Sequence, residues 1–165
     1  MLLSSRIPHS KPLAAGSRVQ APRPAARLVS VQANASLRTL LDDASGAGLG
    51  KVRFIVLGDG AILESVNDWG SVRYNEVPNR GLLATIASAD KSFECHITLS
   101  KVKEVRFAKS KAKAGDYDIY ATRFYGEDGK VMLSTILHGS QGAYDPAAVQ
   151  AWTSLASKYG DSVTF

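Results

Sequence analysis

The 165-residue sequence has a single cysteine, Cys95, so it can form neither an internal disulfide nor a metal site built on several cysteines. No apolar run approaches the roughly 20 residues that a membrane-crossing helix needs. Acidic residues are absent from the first 41 positions, where Arg6, Lys11, Arg18, Arg23, Arg27 and Arg38 fall among Ser, Ala and Pro. The same stretch lacks the continuous apolar core of a secretory signal, and Pro8, Pro12, Pro22 and Pro24 oppose a stable helix before Ala25. A basic, hydroxylated, acid-free start is the composition of an organellar transit peptide. The opening Met-Leu-Leu-Ser-Ser, with Val29-Ser30-Val31-Gln32-Ala33 ahead of Asn34, points to the chloroplast type. The expected organisation is a cleaved address over residues 1–33 and one stromal domain over residues 34–165.

Cleavage near Ala33 would remove five of the twenty basic residues and leave them equal to the fifteen acidic ones. The formal charge of +5 therefore belongs to the address and argues for no nucleic-acid partner.

The domain that remains is punctuated like an antiparallel sheet. Lys51–Leu57 and Ala61–Val66 are apolar and β-branched and flank Gly58-Asp59-Gly60, which predicts a hairpin. Ser71–Val77 and Leu82–Ala87 read as further strands. From Phe93 to Ser100, Phe93, Cys95, Ile97 and Leu99 alternate with Glu94, His96, Thr98 and Ser100, the period of a strand with one buried face. After a break at Lys101–Lys103 the alternation resumes at Val105 and Phe107, and a Lys/Ala/Gly loop is expected over Lys109–Gly115. Tyr117–Tyr125 and Val131–His138 flank Gly126-Glu127-Asp128-Gly129, the strongest hairpin signal in the chain. A short helix begins at Ser36, with Leu37, Leu40, Leu41 and Ala44 on one face. A longer one begins at Asp145-Pro146, carries Val149, Trp152, Leu155, Ala156 and Tyr159 on one face, and stops at Gly160. The class is α+β: an antiparallel domain of seven to eight strands with a short N-terminal and a C-terminal helix.

Little in the spacing carries chemistry. The run Ser45–Lys51 is Gly-rich and ends in Lys, but its spacing is wrong for a phosphate loop, Val52 follows the Lys, and a helix precedes it. Cys95 lies on the core face, where a thiol is inert. His96 faces away from the core, toward water or a pocket; His138 ends its strand beside Gly139. Two histidines this far apart, without a carboxylate at ligand spacing, do not make a zinc site. Lys101, Lys103, Arg106, Lys109, Lys111 and Lys113 form a basic run offset only by Glu104. Such a run is a solvated edge or a receptor for anionic groups.

From about Val52 to Gly160 the order of these pieces resembles the haem utilisation cytosolic carrier family, small proteins similar to one half of larger bacterial haem-handling and haem-degrading proteins. Four segments carry the resemblance: AILESV; CHITLSKVKEVRFAK, similar to the family's Gly-His-Ile segment and basic strand; IYATRFYGEDGKVMLSTILHG, similar to its hairpin; and PAAVQAWTSLASKYG, similar to its terminal helix. The resemblance implies an antiparallel β domain that pairs as a homodimer, with sheets stacked across the dimer and haem in a cleft. It places His96 on the family's Gly-His-Ile histidine, where it would supply the iron ligand, with one or two of Arg106, Lys109 and Arg123 pairing with propionates. Cys95 stands where the family has Gly, and Gly81–Ile86 has no tyrosine where members carry a candidate ligand. Tyr74 and His138 are the next ligand candidates. The expected function is a plastid carrier or buffer of haem or another tetrapyrrole that does not transform its ligand. The alternatives are a β-sheet adaptor without haem and, third, a haem-degrading enzyme.

Overall fold

The turns at Gly58-Asp59-Gly60 and Gly126-Glu127-Asp128-Gly129 each close an antiparallel pair in the computed structural model, which describes residues 36–140 and 142–165. The expected transit segment, residues 1–33, lies outside the described residues. Helix α1 (Leu37–Gly46) starts where the Ser36 hydroxyl accepts from the Thr39 amide (3.1 Å), and it buries Leu37, Leu40, Leu41 and Ala44. Strands β1 (Lys51–Leu57), β2 (Ile62–Asp68), β3 (Val72–Val77), β4 (Gly81–Ala87) and β5 (Glu94–Thr98) follow, and a 3₁₀ turn (Leu99–Lys101) occupies the expected break. Then come β6 (Glu104–Lys111), β7 (Asp118–Tyr125), β8 (Val131–Leu137), helix α2 (Pro146–Tyr159) and β9 (Ser162–Thr164). Among the described residues no helix is long and apolar enough to cross a membrane.

The strands form two antiparallel sheets, one of six strands in the order β2-β1-β8-β7-β6-β9 and one of three in the order β3-β4-β5. Alternation divides the large sheet into two faces. Val52, Phe54, Thr122, Phe124, Leu133, Leu137, Val105, Phe107 and Val163 point to the core. Helix α2 covers one part of that face, with Trp152 Nε1 donating to Thr122 Oγ1 (3.0 Å) and packing edge-on against Phe107 (5.9 Å between centroids). The small sheet and α1 cover the rest; Phe93 of the loop before β5 tilts against Phe54 at 4.8 Å. The other face of the large sheet carries Ile55, Val66, Ala121 and Ile136, and no helix or sheet among the described residues packs on it.

Two differences from the sequence reading have simple causes. Strand β6 runs on to Lys111 because Lys109 and Lys111 pair with Asp118 of β7 (3.0 and 3.4 Å), so the predicted loop is stitched to the sheet. The ninth strand, β9, is only three residues long, and it pairs with β6 through Val105↔Val163. The predicted β7–β8 turn forms as read: Gly129 adopts φ 72°, and Asp128 Oδ1 accepts from the Lys130 amide (3.0 Å).

Asp43 of α1 fastens the two helices together. It accepts from Lys158 Nζ (2.5 Å) and from the Tyr159 hydroxyl, and these two bonds, Lys158 first, hold its carboxyl below the usual carboxylate range. A depressed folded pKa gives stability that is present above the unfolded value near pH 4 and is lost as pH falls through the folded one. Asp43→Ala is therefore expected to lower the unfolding free energy at pH 7 by about 2 kcal/mol. Urea titrations should show its gap from wild type narrowing below about pH 4. A gap that widens in acid contradicts the assignment.

Candidate functional site

The Ala87–Glu94 connection sets the site. Asp90 accepts from the Ser88 hydroxyl (2.6 Å) and from the Ser92 amide and hydroxyl (3.1 and 2.8 Å), and these bonds, Ser88 first, pull its carboxyl down to about 2. The Ser88 hydroxyl in turn accepts from the Phe93 amide (3.0 Å). This knot starts the β4–β5 pairing at Ala87↔Glu94, and two residues on it places His96 opposite Thr85. Cys95 and Ile97 face the core, and burial pushes the Cys95 thiol up to about 11, which keeps it protonated and unreactive. Glu94 and His96 face the other way.

Strand β5 pairs only with β4, so its outer edge borders a groove. Two adjoining hollows of about 120 Å³ each lie along it. Phe54, Val56, Leu63 and Phe93 wall one, and Val56, Val102, Phe124, Met132 and Leu133 wall the other; His96 and Cys95 border both. The His96 side chain is 51% exposed. Its Nδ1 lies 2.8 Å from the hydroxyl of Thr85, and its Nε2 lies 3.5 Å from Glu94 Oε2. Arg73 of β3 shares the row Arg73–Thr85–His96 across the small sheet, which puts a cation on the histidine's face about 10 Å away. It makes no ion pair among the described residues.

The other residues singled out from the sequence border neither hollow. Arg106 forms a bidentate pair with Glu104 (2.7 and 2.8 Å), lies over the Tyr125 ring (4.4 Å), and stands opposite Arg123 on the uncovered face of the large sheet. Lys109 binds Asp118 (3.0 Å) and reaches over Tyr120 on the helix-facing side. Tyr74 packs toward α1: its hydroxyl donates to Asp42 Oδ1 (2.7 Å), and burial, with Asp42 second, pushes the phenol well above its ordinary range. His138 is exposed beyond β8, where its amide donates to the Lys51 carbonyl (2.9 Å). Thr85 and Arg73 escaped the sequence reading because only the strand register brings them to His96; Glu94 shares the face of His96 by its place on the same strand.

A larger concavity of about 650 Å³ lies between α1 and α2. Asp42, Asp43, Gln150, Ser154 and Lys158 line it together with small residues, and Asp43 and Lys158 are spent on each other. The β5 groove is smaller, and it sets apolar walls beside a strand that carries an accessible imidazole. Among the described residues no group of three or more His, Cys, Asp or Glu could hold a bare metal ion.

No family profile matches this chain, and no curated protein matches its sequence. Solved structures do. The haem-binding protein ChuX superposes with a TM-score of 0.59 at 18% identity, over 74% of this chain and 72% of ChuX. The chain has the ChuX fold. PhuS, a haem-binding protein from Pseudomonas aeruginosa, matches in its holo form with a TM-score of 0.56 at 13% identity, over 76% of this chain and 32% of PhuS. ChuS, an E. coli haem oxygenase, matches with a TM-score of 0.54 at 16% identity, over 76% of this chain and 34% of ChuS. The chain thus shares its architecture with ChuX over most of both molecules and with about a third of PhuS and ChuS. The α+β antiparallel domain expected from the sequence is the one observed.

Proposed function

We propose that this chain binds haem in the groove beside β5 and carries or buffers it without transforming it. The observation that carries the reading is His96, an accessible imidazole on the strand that borders two apolar hollows, with its inner nitrogen held by a buried hydroxyl. A macrocycle brings four nitrogens to its own iron, so one axial side chain suffices where no multi-residue metal site exists. Phe54, Val56, Leu63, Phe93, Val102, Phe124, Met132 and Leu133 offer the apolar contact a porphyrin face needs. Arg73 is the cation placed to meet a propionate. Arg106, Lys109 and Arg123 are turned to other faces and have no role in this groove.

Hollows of about 120 Å³ are well below the roughly 300–1,000 Å³ of an enclosing ligand pocket, so haem would lie partly exposed. That suits a carrier, which must release its ligand. A second copy of the chain would complete the assembly through the uncovered face of the large sheet. That face mixes the apolar Ile55, Val66, Ala121 and Ile136 with Ser134 and Arg123, and it holds the pairs Arg53–Glu64 and Arg106–Glu104. Wild type is expected to sediment as a dimer and Ile136→Asp as a monomer with unchanged circular dichroism; a wild-type monomer at every concentration sinks the dimer.

Delivery to the plastid belongs to the same proposal and is supported by the acid-free composition of residues 1–33. Import by isolated chloroplasts, with trimming near Ala33, tests it.

The functional test is a titration of the full chain with ferric haem, followed by visible absorption. A saturable Soret shift at one haem per chain or per dimer, weakened by Arg73→Ala, is the expected result. No saturable shift overturns the carrier and leaves a β-sheet adaptor. The likeness to the haem oxygenase ChuS supports a second reading, haem degradation, which a reductant and oxygen distinguish: a carrier keeps its Soret band and a degrading enzyme loses it.

A further inference from the structure

We infer that Thr85 is the positioning residue of His96. Its hydroxyl donates to Nδ1 in the ligand-free protein and turns round to accept from Nδ1–H when Nε2 is given to iron. The second half of this inference rests on the haem reading above; the first half does not.

Thr85 sits on the middle strand of the small sheet and is 7% exposed. Its Oγ1 lies 2.8 Å from His96 Nδ1 and has no other hydrogen-bond partner among the described residues. A hydroxyl has one proton to give and two lone pairs to accept with. A buried donor left unmade costs about 1–3 kcal/mol, so the Thr85 proton goes to the one acceptor within reach. That acceptor is Nδ1, and the ring proton is then on Nε2.

The opposite side of the ring agrees with this arrangement. Glu94 Oε2 stands 3.5 Å from Nε2, two residues back on the same strand and therefore on the same face. An ionised carboxylate only accepts. At this distance it attracts an N–H electrostatically without forming a good hydrogen bond. The imidazole is thus held between a donor and an acceptor, and both fit the Nε2–H form.

Iron takes a nitrogen lone pair. When Nε2 supplies it, the proton leaves Nε2 for solvent and one is taken up at Nδ1, with no net change. Thr85 then needs only a rotation of its O–H bond to become the acceptor, and no heavy atom of its side chain moves. A metal-bound histidine ordinarily has its second nitrogen oriented by such a partner. A backbone carbonyl could serve the bound state alone, because it cannot donate. A hydroxyl serves both states, so the same contact holds the empty and the loaded site in one geometry. Glu94 must yield its place at Nε2, which makes it the group that a ligand displaces.

The test uses the full chain labelled with ¹⁵N at histidine, as wild type, Thr85→Val and Thr85→Ser, with His96→Ala to identify the His96 signals. Long-range ¹H–¹⁵N spectra of the ligand-free proteins are expected to show Nδ1 of His96 as a hydrogen-bonded acceptor in wild type and Thr85→Ser. In Thr85→Val that signal should move to the position of a solvent-exposed imidazole nitrogen. Unchanged His96 shifts in Thr85→Val overturn the inference, and Thr85→Ala serves the same purpose if the valine protein does not fold. Ferric haem titration of the same proteins should show about 10–100-fold weaker binding for Thr85→Val and recovery in Thr85→Ser. If Nδ1 shifts while haem affinity is unchanged, the loaded-state half is wrong. If wild type binds no haem, the carrier reading fails, and the ligand-free spectra still decide what Thr85 does.

Discussion

His96→Ala is expected to weaken ferric haem binding by more than about 100-fold, because loss of a partner that merely orients a ligand already costs about 10–100-fold. The imidazole is the nitrogen ligand for iron on the β5 groove, and it reaches solvent. Cys95 beside it is buried and protonated, and Met132, in the second hollow, offers only a weakly coordinating thioether. The protein should stay folded with a modest loss of stability, since the side chain is half exposed and its one hydrogen bond, to the buried Thr85 hydroxyl, is lost. Visible absorption and thermal melts of the same samples separate the two effects. A Soret shift that ignores the substitution, with the protein still folded, would keep haem and remove His96 from its iron.

Phe54→Ala is the change expected to cost most in stability, about 3–5 kcal/mol. Phe54 is 2% exposed, stacks on Trp69 at 5.7 Å between centroids, and supports Phe93 at 4.8 Å. It joins the core face of the large sheet to the loop that leads into β5, so truncation removes a ring from the seam between the two sheets. Surrounding rings cannot collapse fully into the space, which adds a cavity term to the lost transfer energy. Against a typical total of about 5–15 kcal/mol this is a large fraction, and the melting midpoint should fall on the order of 10–20 °C. Phe54→Leu should recover part of it. Denaturant midpoints with unchanged slope are the measurement, and a loss under about 1 kcal/mol would show that the seam does not depend on this ring. Phe54 also walls the groove, so haem affinity should fall in Phe54→Ala even where the protein remains folded.

Much of the architecture was legible because it rests on short-range signals. Ser36 and Asp145-Pro146 each start a helix for reasons contained within four residues. Asp128-Gly129 permits the φ > 0 turn of the β7–β8 hairpin, and the period-2 alternation around His96 reports a strand with one wet face. Strand β9 was not legible: three residues cannot display a period, and they become a strand only because α2 returns the chain beside β6. The basic run looked like one patch. In space Arg106 and Lys109 turn to opposite faces of β6, and Asp118 and Glu104 neutralise them there.

The sequence by itself determined the class of the protein, the order of its elements and the outward turn of His96. Each of these follows from local periodicity, from capping residues and from Gly and Asp turns, which act within a few residues along the chain. Only the tertiary structure decided that the nine strands among the described residues divide into sheets of six and three, that Thr85 holds the imidazole, and that Arg73 is the cation on its face. Those facts depend on strand register and on which sheet covers which. A one-residue slip would send every side chain of β5 to the other face, so nothing short of the assembled β4–β5 pairing could fix them.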